Sequence, residues 1–234
     1  MNRTSVFYKN AYLYFILAAL ITVFAFLPSY FQRLDKTDSG HHLHGIAAML
    51  WIIMMIAQPL LYGKKLMTWH KRIGKFSFVL VPIFILSGLN MVYAMLLAKD
   101  NYPPQLPYQL AFIDFFTLIM FVAFYVLAIF HRRNVQLHAR YMVCTVLGIL
   151  IPAITRFLFY FPFIDSFNKS LNASYLIVEV ILLMLLFDDK RSGKIRAPYV
   201  IAMILFSIQH FLMNFAKDWE WWRQLMDAFS GTGF

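Results

Sequence analysis

Two stretches decide which solvent this chain folds in. Residues 11–31 and 76–98 carry no charged side chain, and each exceeds the roughly 20 residues that a helix needs to cross a hydrocarbon core of about 30 Å. Comparable runs recur, so 61% of the chain is hydrophobic and only 14% charged, against the roughly 45–50% apolar share of a soluble domain. The expected fold class is all-α, a polytopic transmembrane helix bundle.

Seven crossings are predicted, over about residues 11–30, 43–62, 76–98, 109–130, 141–161, 171–187 and 198–215. Six is the fallback, should the short sixth run be re-entrant. Arg3 and Lys9 ahead of the first run resemble a signal peptide, but LPSYFQRLDK offers no small-residue cleavage pattern, so an uncleaved helix is expected. No Gly/Ser-rich linker, repeat or second domain is evident, and residues 1–234 read as one domain. Trp219, Trp221 and Trp222 stand beside charges in residues 217–230, the composition of a short amphipathic tail at the interface.

The net charge of +10 does not imply nucleic acid, because no basic domain stands clear of the apolar runs. The N-terminus and residues 64–75, 132–140 and 190–196 together hold 14 of the 21 basic residues. Under seven crossings those segments share one side, which the positive-inside rule makes cytoplasmic, with the N-terminus inside and the tail outside. The expected location is the cell membrane, multi-pass, as in a bacterial inner membrane. Cys144 is the only cysteine, so an intramolecular disulfide and a four-cysteine cluster are excluded.

Counting depth at about 1.5 Å per residue gathers the ionisable residues into two sets. On the outer side, His44 and Asp114 lie in the first turns, Asn90 and Arg156 roughly 8–9 Å down, and Glu179 and His210 near 12 Å, with Asn214 one turn outward of His210. Buried charges cost about 2.5–3.5 kcal/mol each on the lenient insertion scale and normally face a protein interior or a watery cavity. The structural reading is an Arg156–Glu179 ion pair among polar neighbours, and the functional reading is an outward-opening site for a substrate, proton or metal. On the inner side, His70 begins the third crossing and His138 the fifth, with His131 ending the fourth. Two imidazoles from separate helices can hold a haem iron axially or share a metal; a solvated basic loop on anionic headgroups is the alternative.

The run from His44 through Gln58, then WHKRIGK with His70, Arg72 and Gly74, HARYM with His138, Arg140 and Met142, and ITR with Arg156, resembles a family of bacterial polytopic membrane proteins defined only as a domain of unknown function. The resemblance covers about residues 44–156. It implies a four-helix core with one helix before it and two after, and brings no activity. A looser similarity is to the dihaem transmembrane cytochromes that pass electrons from ascorbate across a membrane, whose four core helices each supply a histidine. That similarity implies His70 and His138 as the cytoplasmic-side ligands. The outer pair departs from it, since the fourth crossing has Asp114 at its outer end, leaving His44 to pair with His210 of the seventh.

The function expected is a haem- or metal-dependent redox protein for electron transfer, holding haem b or a divalent metal. One alternative is a metal-dependent membrane hydrolase acting on a lipid-like substrate, with His44, Asp114, Glu179 and His210 around a divalent ion and Arg156 holding an anionic headgroup. The ceramidase and progestin-receptor-like superfamily is similar in outline, but carries two histidines one turn apart on the last helix, where His210 here has Asn214. A non-enzymatic transporter or assembly factor is the other. The partners implied are the bilayer and a small-molecule or lipid-like substrate or a redox partner protein.

Overall fold

A computed structural model describes residues 10–231. The described chain forms eight α-helices: α1 Ala11–Phe26, α2 Ser39–Gly63, α3 Met67–Leu97, α4 Leu106–Phe130, α5 Val135–Leu158, α6 Phe167–Arg191, α7 Ala197–Ala216 and α8 Glu220–Gly231. No strand occurs among the described residues. Six helices, α2 to α7, are long and apolar enough to cross a membrane, and their outward faces carry Leu86, Ile119, Phe130, Phe187 and Phe211 exposed. Such a surface suits lipid; the protein is an integral membrane protein built as a helical bundle.

Local chemistry sets the helix ends. Asp38, Asn134 and Ser166 cap α2, α5 and α6, each side chain accepting from the N–H three residues on. Proline opens α4 and α7, where its missing N–H costs nothing. Gly193 turns α6 into α7 with φ +91, a left-handed conformation natural to glycine.

The boundaries differ from those read in the sequence: α2 begins at Ser39 and not at residue 43, α5 at Val135 and not at residue 141, and three further differences bear on the topology. The third helix begins at Met67, not at residue 76, because WHKRIGK has no proline and one mid-helix glycine costs only about 1 kcal/mol. The basic segment is therefore helix, and His70 stands on the first turn of α3. The sixth helix is not short: it runs 25 residues from Phe167 to Arg191, which removes the reason for a re-entrant segment. The short helix is α1, with 16 residues and a rise of about 24 Å, because Pro28 has no N–H to continue the ladder.

The organising helix is α5, which packs against α1, α2, α4, α6 and α7. Of its apolar window 61% is buried, against 28–44% for the other five long helices. Close approach needs small residues: a Cβ on Gly148 would lie 2.6 Å from Thr117 Cγ2 of α4. At mid-depth Trp51 of α2 fills the space between α2, α4 and α5. Its ring lies edge-on to Phe121 at 5.1 Å and Tyr125 at 5.8 Å, and its Nε1–H donates to Thr145 Oγ1 at 3.2 Å. This aromatic plug separates the polar groups at the two ends of the bundle.

Each end is closed differently. On the basic side Arg140 of α5 and Asp189 of α6 are 1% and 0% exposed and paired; Arg140 Nε donates to both Asp189 oxygens at 2.8 and 3.0 Å. The Arg196 N–H donates to Asp189 Oδ2 at 3.1 Å, so α5, α6 and the entry to α7 share one carboxylate. On the opposite side α8 lies across α3 and α4. Trp222 Nε1–H donates to the Tyr108 carbonyl at 2.8 Å, and Asp227 accepts from Lys99 and from Tyr108 Oη.

Candidate functional site

Two groups of polar residues lie on either side of the aromatic plug. On the basic side, His138 of α5 sits 2.8 Å through Nδ1 from the Ala128 carbonyl. A carbonyl only accepts, so Nδ1 carries the proton and Nε2 presents its lone pair. That arrangement is the usual support for an imidazole that ligates a metal or haem iron. His70 of α3 is half-buried, and its carbonyl accepts from Gln58 Nε2 at 3.2 Å. Two atoms here, His70 Nδ1 and Gln58 Oε1, are buried with no hydrogen-bond partner among the described residues. Gln58 and His70 meet where α2 and α3 pack, and His138 opens α5 at the same end of the bundle. His131 turns away and stacks on Tyr141, centroids 5.7 Å apart.

Buried polar atoms are nearly always satisfied, and an unsatisfied pair marks a place where water, an ion or a ligand belongs. The donor set fits the group implied by the resemblance in kind: two imidazoles suit haem iron, and two imidazoles with an amide oxygen suit a borderline divalent metal.

On the opposite side, His210 of α7 and Glu179 of α6 meet, Nδ1 to Oε1 at 3.0 Å, and Nε2 lies 3.1 Å from Asn172 Oδ1. The Tyr175 ring stacks on His210 at 4.9 Å and 16°. Both nitrogens of His210 are thus engaged. The rest of the expected outer set is elsewhere. His44 bonds Ser87 Oγ at 3.1 Å and stacks on Phe84, between α2 and α3. Asp114 of α4 is half-buried and makes no hydrogen bond among the described residues. Asn90 is exposed and covers Gly40, where a Cβ would lie 2.6 Å from its Nδ2. Asn214 is exposed and donates to the His210 carbonyl of its own helix.

Two expectations are corrected by this geometry. Arg156 does not pair with Glu179: it leaves α5 toward α1, its guanidinium lying 4.5 Å from the Phe26 ring centroid and Nη1 donating to the Pro152 carbonyl at 3.1 Å. Nor do His44, Asp114, Glu179 and His210 surround one point; among the described residues no group of three or more His, Cys, Asp or Glu could hold a metal ion. Equal depth does not mean equal azimuth, and the helices carrying His44 and His210 lie on different sides of the bundle.

Sequence reading missed the Arg140–Asp189–Arg196 cluster. Its one visible trace is an acidic pair at the end of the sixth run, on the same side as HAR. Two further buried atoms without a hydrogen-bond partner among the described residues, Tyr175 Oη and Gln209 Oε1, lie in the half of the bundle opposite the basic face. Comparison of the chain with protein-family models, with curated proteins and with solved structures gives no match.

Proposed function

We propose that this protein is a membrane electron-transfer protein that holds a cofactor between His70 and His138 at its basic face. The observation that carries the reading is the orphan pair, His70 Nδ1 and Gln58 Oε1, at the same end of the bundle as an imidazole whose Nδ1–H is spent on the Ala128 carbonyl. Those residues fit haem b in the first place and a divalent metal in the second. Bound there, such a group supplies one-electron exchange; the chain's own residues set its position and the orientation of its ligands. The looser resemblance to dihaem cytochromes supports the same two histidines; the separate resemblance to the uncharacterised bacterial family over residues 44–156 includes both of them and adds no activity.

The test is an absorption spectrum of the purified protein, oxidised and reduced, together with a metal analysis. His70→Ala and His138→Ala should each remove the same signal while the protein stays folded. Full occupancy in both variants would sink the proposal, and a stoichiometric metal without a haem band would select the second cofactor.

The reading carries a topology with it: seven crossings, the basic segments in the cytoplasm of a bacterial inner membrane, the N-terminus inside and α8 at the outer interface. The seventh crossing is α1. Its C-terminal end meets that of α5, where Tyr160 Oη donates to the Phe24 carbonyl at 3.1 Å, and it packs along α2 and α5.

A further inference from the structure

Arg156 lies at the end of the bundle opposite the basic turns and pairs with no carboxylate among the described residues. It projects from the last turns of α5 into a groove of about 250 Å³ lined by Ala25, Pro28, Ser29, Phe159 and Tyr160. One N–H of its fork goes to the Pro152 carbonyl and the plane lies over Phe26. The rest of the fork has no hydrogen-bond partner among the described residues, although the side chain is exposed. The carboxylate that acts on it at longer range is Asp114, which forms no ion pair with it among the described residues.

The groove sits where α1 and α5 both end, at the depth where a membrane passes from hydrocarbon to headgroups. A guanidinium held over an aromatic ring, with most of its donors unused among the described residues, suits a phosphate oxygen pair. Beside the groove α1 also exposes Leu20 and Phe24, an apolar face that runs along the helix toward the bilayer centre. From this we infer that the groove is a binding site for an anionic phospholipid of the leaflet opposite the basic turns, the diester phosphate on Arg156 and an acyl chain along α1. The C-terminal carbonyls of α1 and α5 carry partial negative charge and disfavour an anion there, as does Asp114. The guanidinium has to outweigh all of these, so binding depends on its charge.

Native mass spectrometry of the full chain, titrated with phosphatidylglycerol, with phosphatidylcholine or with inorganic phosphate, tests the inference. The expected result is one tightly retained phosphatidylglycerol, bound about tenfold more strongly than phosphatidylcholine and not displaced by millimolar phosphate. Arg156→Gln should remove that preference by about tenfold, the loss of one charge-assisted contact, while Arg156→Lys keeps part of it. Ser29→Leu, which fills the groove with Arg156 intact, should also weaken retention and serves if Arg156→Gln fails to fold. Arg132→Gln, at the basic face, should leave the tight lipid in place. Unchanged retention in both Arg156→Gln and Ser29→Leu overturns the site, and displacement by phosphate alone overturns the lipid as its occupant.

Discussion

Removing a single carboxylate separates two kinds of buried charge in this protein. Asp189 accepts from Arg140 and Arg196 and is fully buried, so Asp189→Asn leaves a buried guanidinium without its counter-ion, at an expected cost of about 3–5 kcal/mol. Unfolding followed in detergent should show a large loss, and an Arg140→Met/Asp189→Leu double variant should recover much of it. Glu179 behaves otherwise. Its partner is His210, not Arg156, and a glutamine oxygen can accept the same hydrogen bond, so Glu179→Gln should cost only about 1 kcal/mol or less. A loss as large as that of Asp189→Asn would mean that Arg156 depends on Glu179 after all. Residue depth was legible from counting along each run, and it put Glu179 and His210 at one level. Azimuth was not, because which way a side chain leaves a helix surrounded by apolar residues depends on packing. That is why Arg156 was given the wrong neighbour, and why nothing in the sequence singles out Asp189 as the buried partner of Arg140.

The elements were legible from their uncharged runs, but their ends were not. Helices α2, α5 and α6 begin at Ser39, Val135 and Phe167, four to six residues ahead of the starts read at 43, 141 and 171, because the caps Asp38, Asn134 and Ser166 stand in polar segments, and the start of α3 carries no cap at all. Helix α8 shows the limit differently: its aromatic residues suggested an interfacial segment, but its docking on Tyr108 and Lys99 is a tertiary matter. That docking has a pH dependence with a definite sign. Burial opposes ionisation of Asp227, and hydrogen bonds from Lys99 and Tyr108 outweigh it, holding the carboxyl below the usual range. The bonds to Asp227 and Tyr108 in turn hold Lys99 above its usual range. A lowered carboxyl contributes stability above its ordinary value of about 3.9 and loses it as pH falls through the lower folded value; a raised amine contributes below about 10.4 and loses it as pH climbs past the folded value. Docking should therefore be constant around neutrality and loosen only in strong acid or strong base. Proteolysis within α8 across that range checks it, and a transition near neutral pH would contradict the assignment. Trp222→Ala, which removes a buried ring and its bond to the Tyr108 carbonyl, should release α8 at every pH, at a cost of about 3–5 kcal/mol to its docked state.

At the scale of the whole molecule the fold class follows from the uncharged runs: a backbone in hydrocarbon is satisfied in helices or closed β-barrels, and continuous apolar runs of about 20 residues have the length of a spanning helix, not of a barrel strand of about 10. The helix count follows less directly. Helix α1 has 16 residues and a rise of about 24 Å, short of the roughly 30 Å core, yet its C-terminal end stands level with that of α5 through Tyr160 and Arg156. It buries Phe15, Ala18 and Ala25 against the bundle. A helix lying flat on the surface could not keep Ala25 beside the end of α5 and Phe15 among α2 and α5, about 15 Å deeper. If α1 crosses, Asn10 lies on the same side as the basic segments 64–75, 132–140 and 190–196; if it does not, Asn10 lies opposite them. In a Cys144→Ser background, Asn10→Cys and Ser192→Cys should then react with an impermeant thiol reagent from the same side of sealed vesicles, and Asp165→Cys only from the other. Reaction of Asn10→Cys together with Asp165→Cys would reduce the crossings to six and put the N-terminus outside. A reporter fused after Phe234 should be active only on the side that labels Asp165→Cys, because α2 to α7 make an even number of crossings whatever α1 does, and the turn before α2 shares its side with the tail.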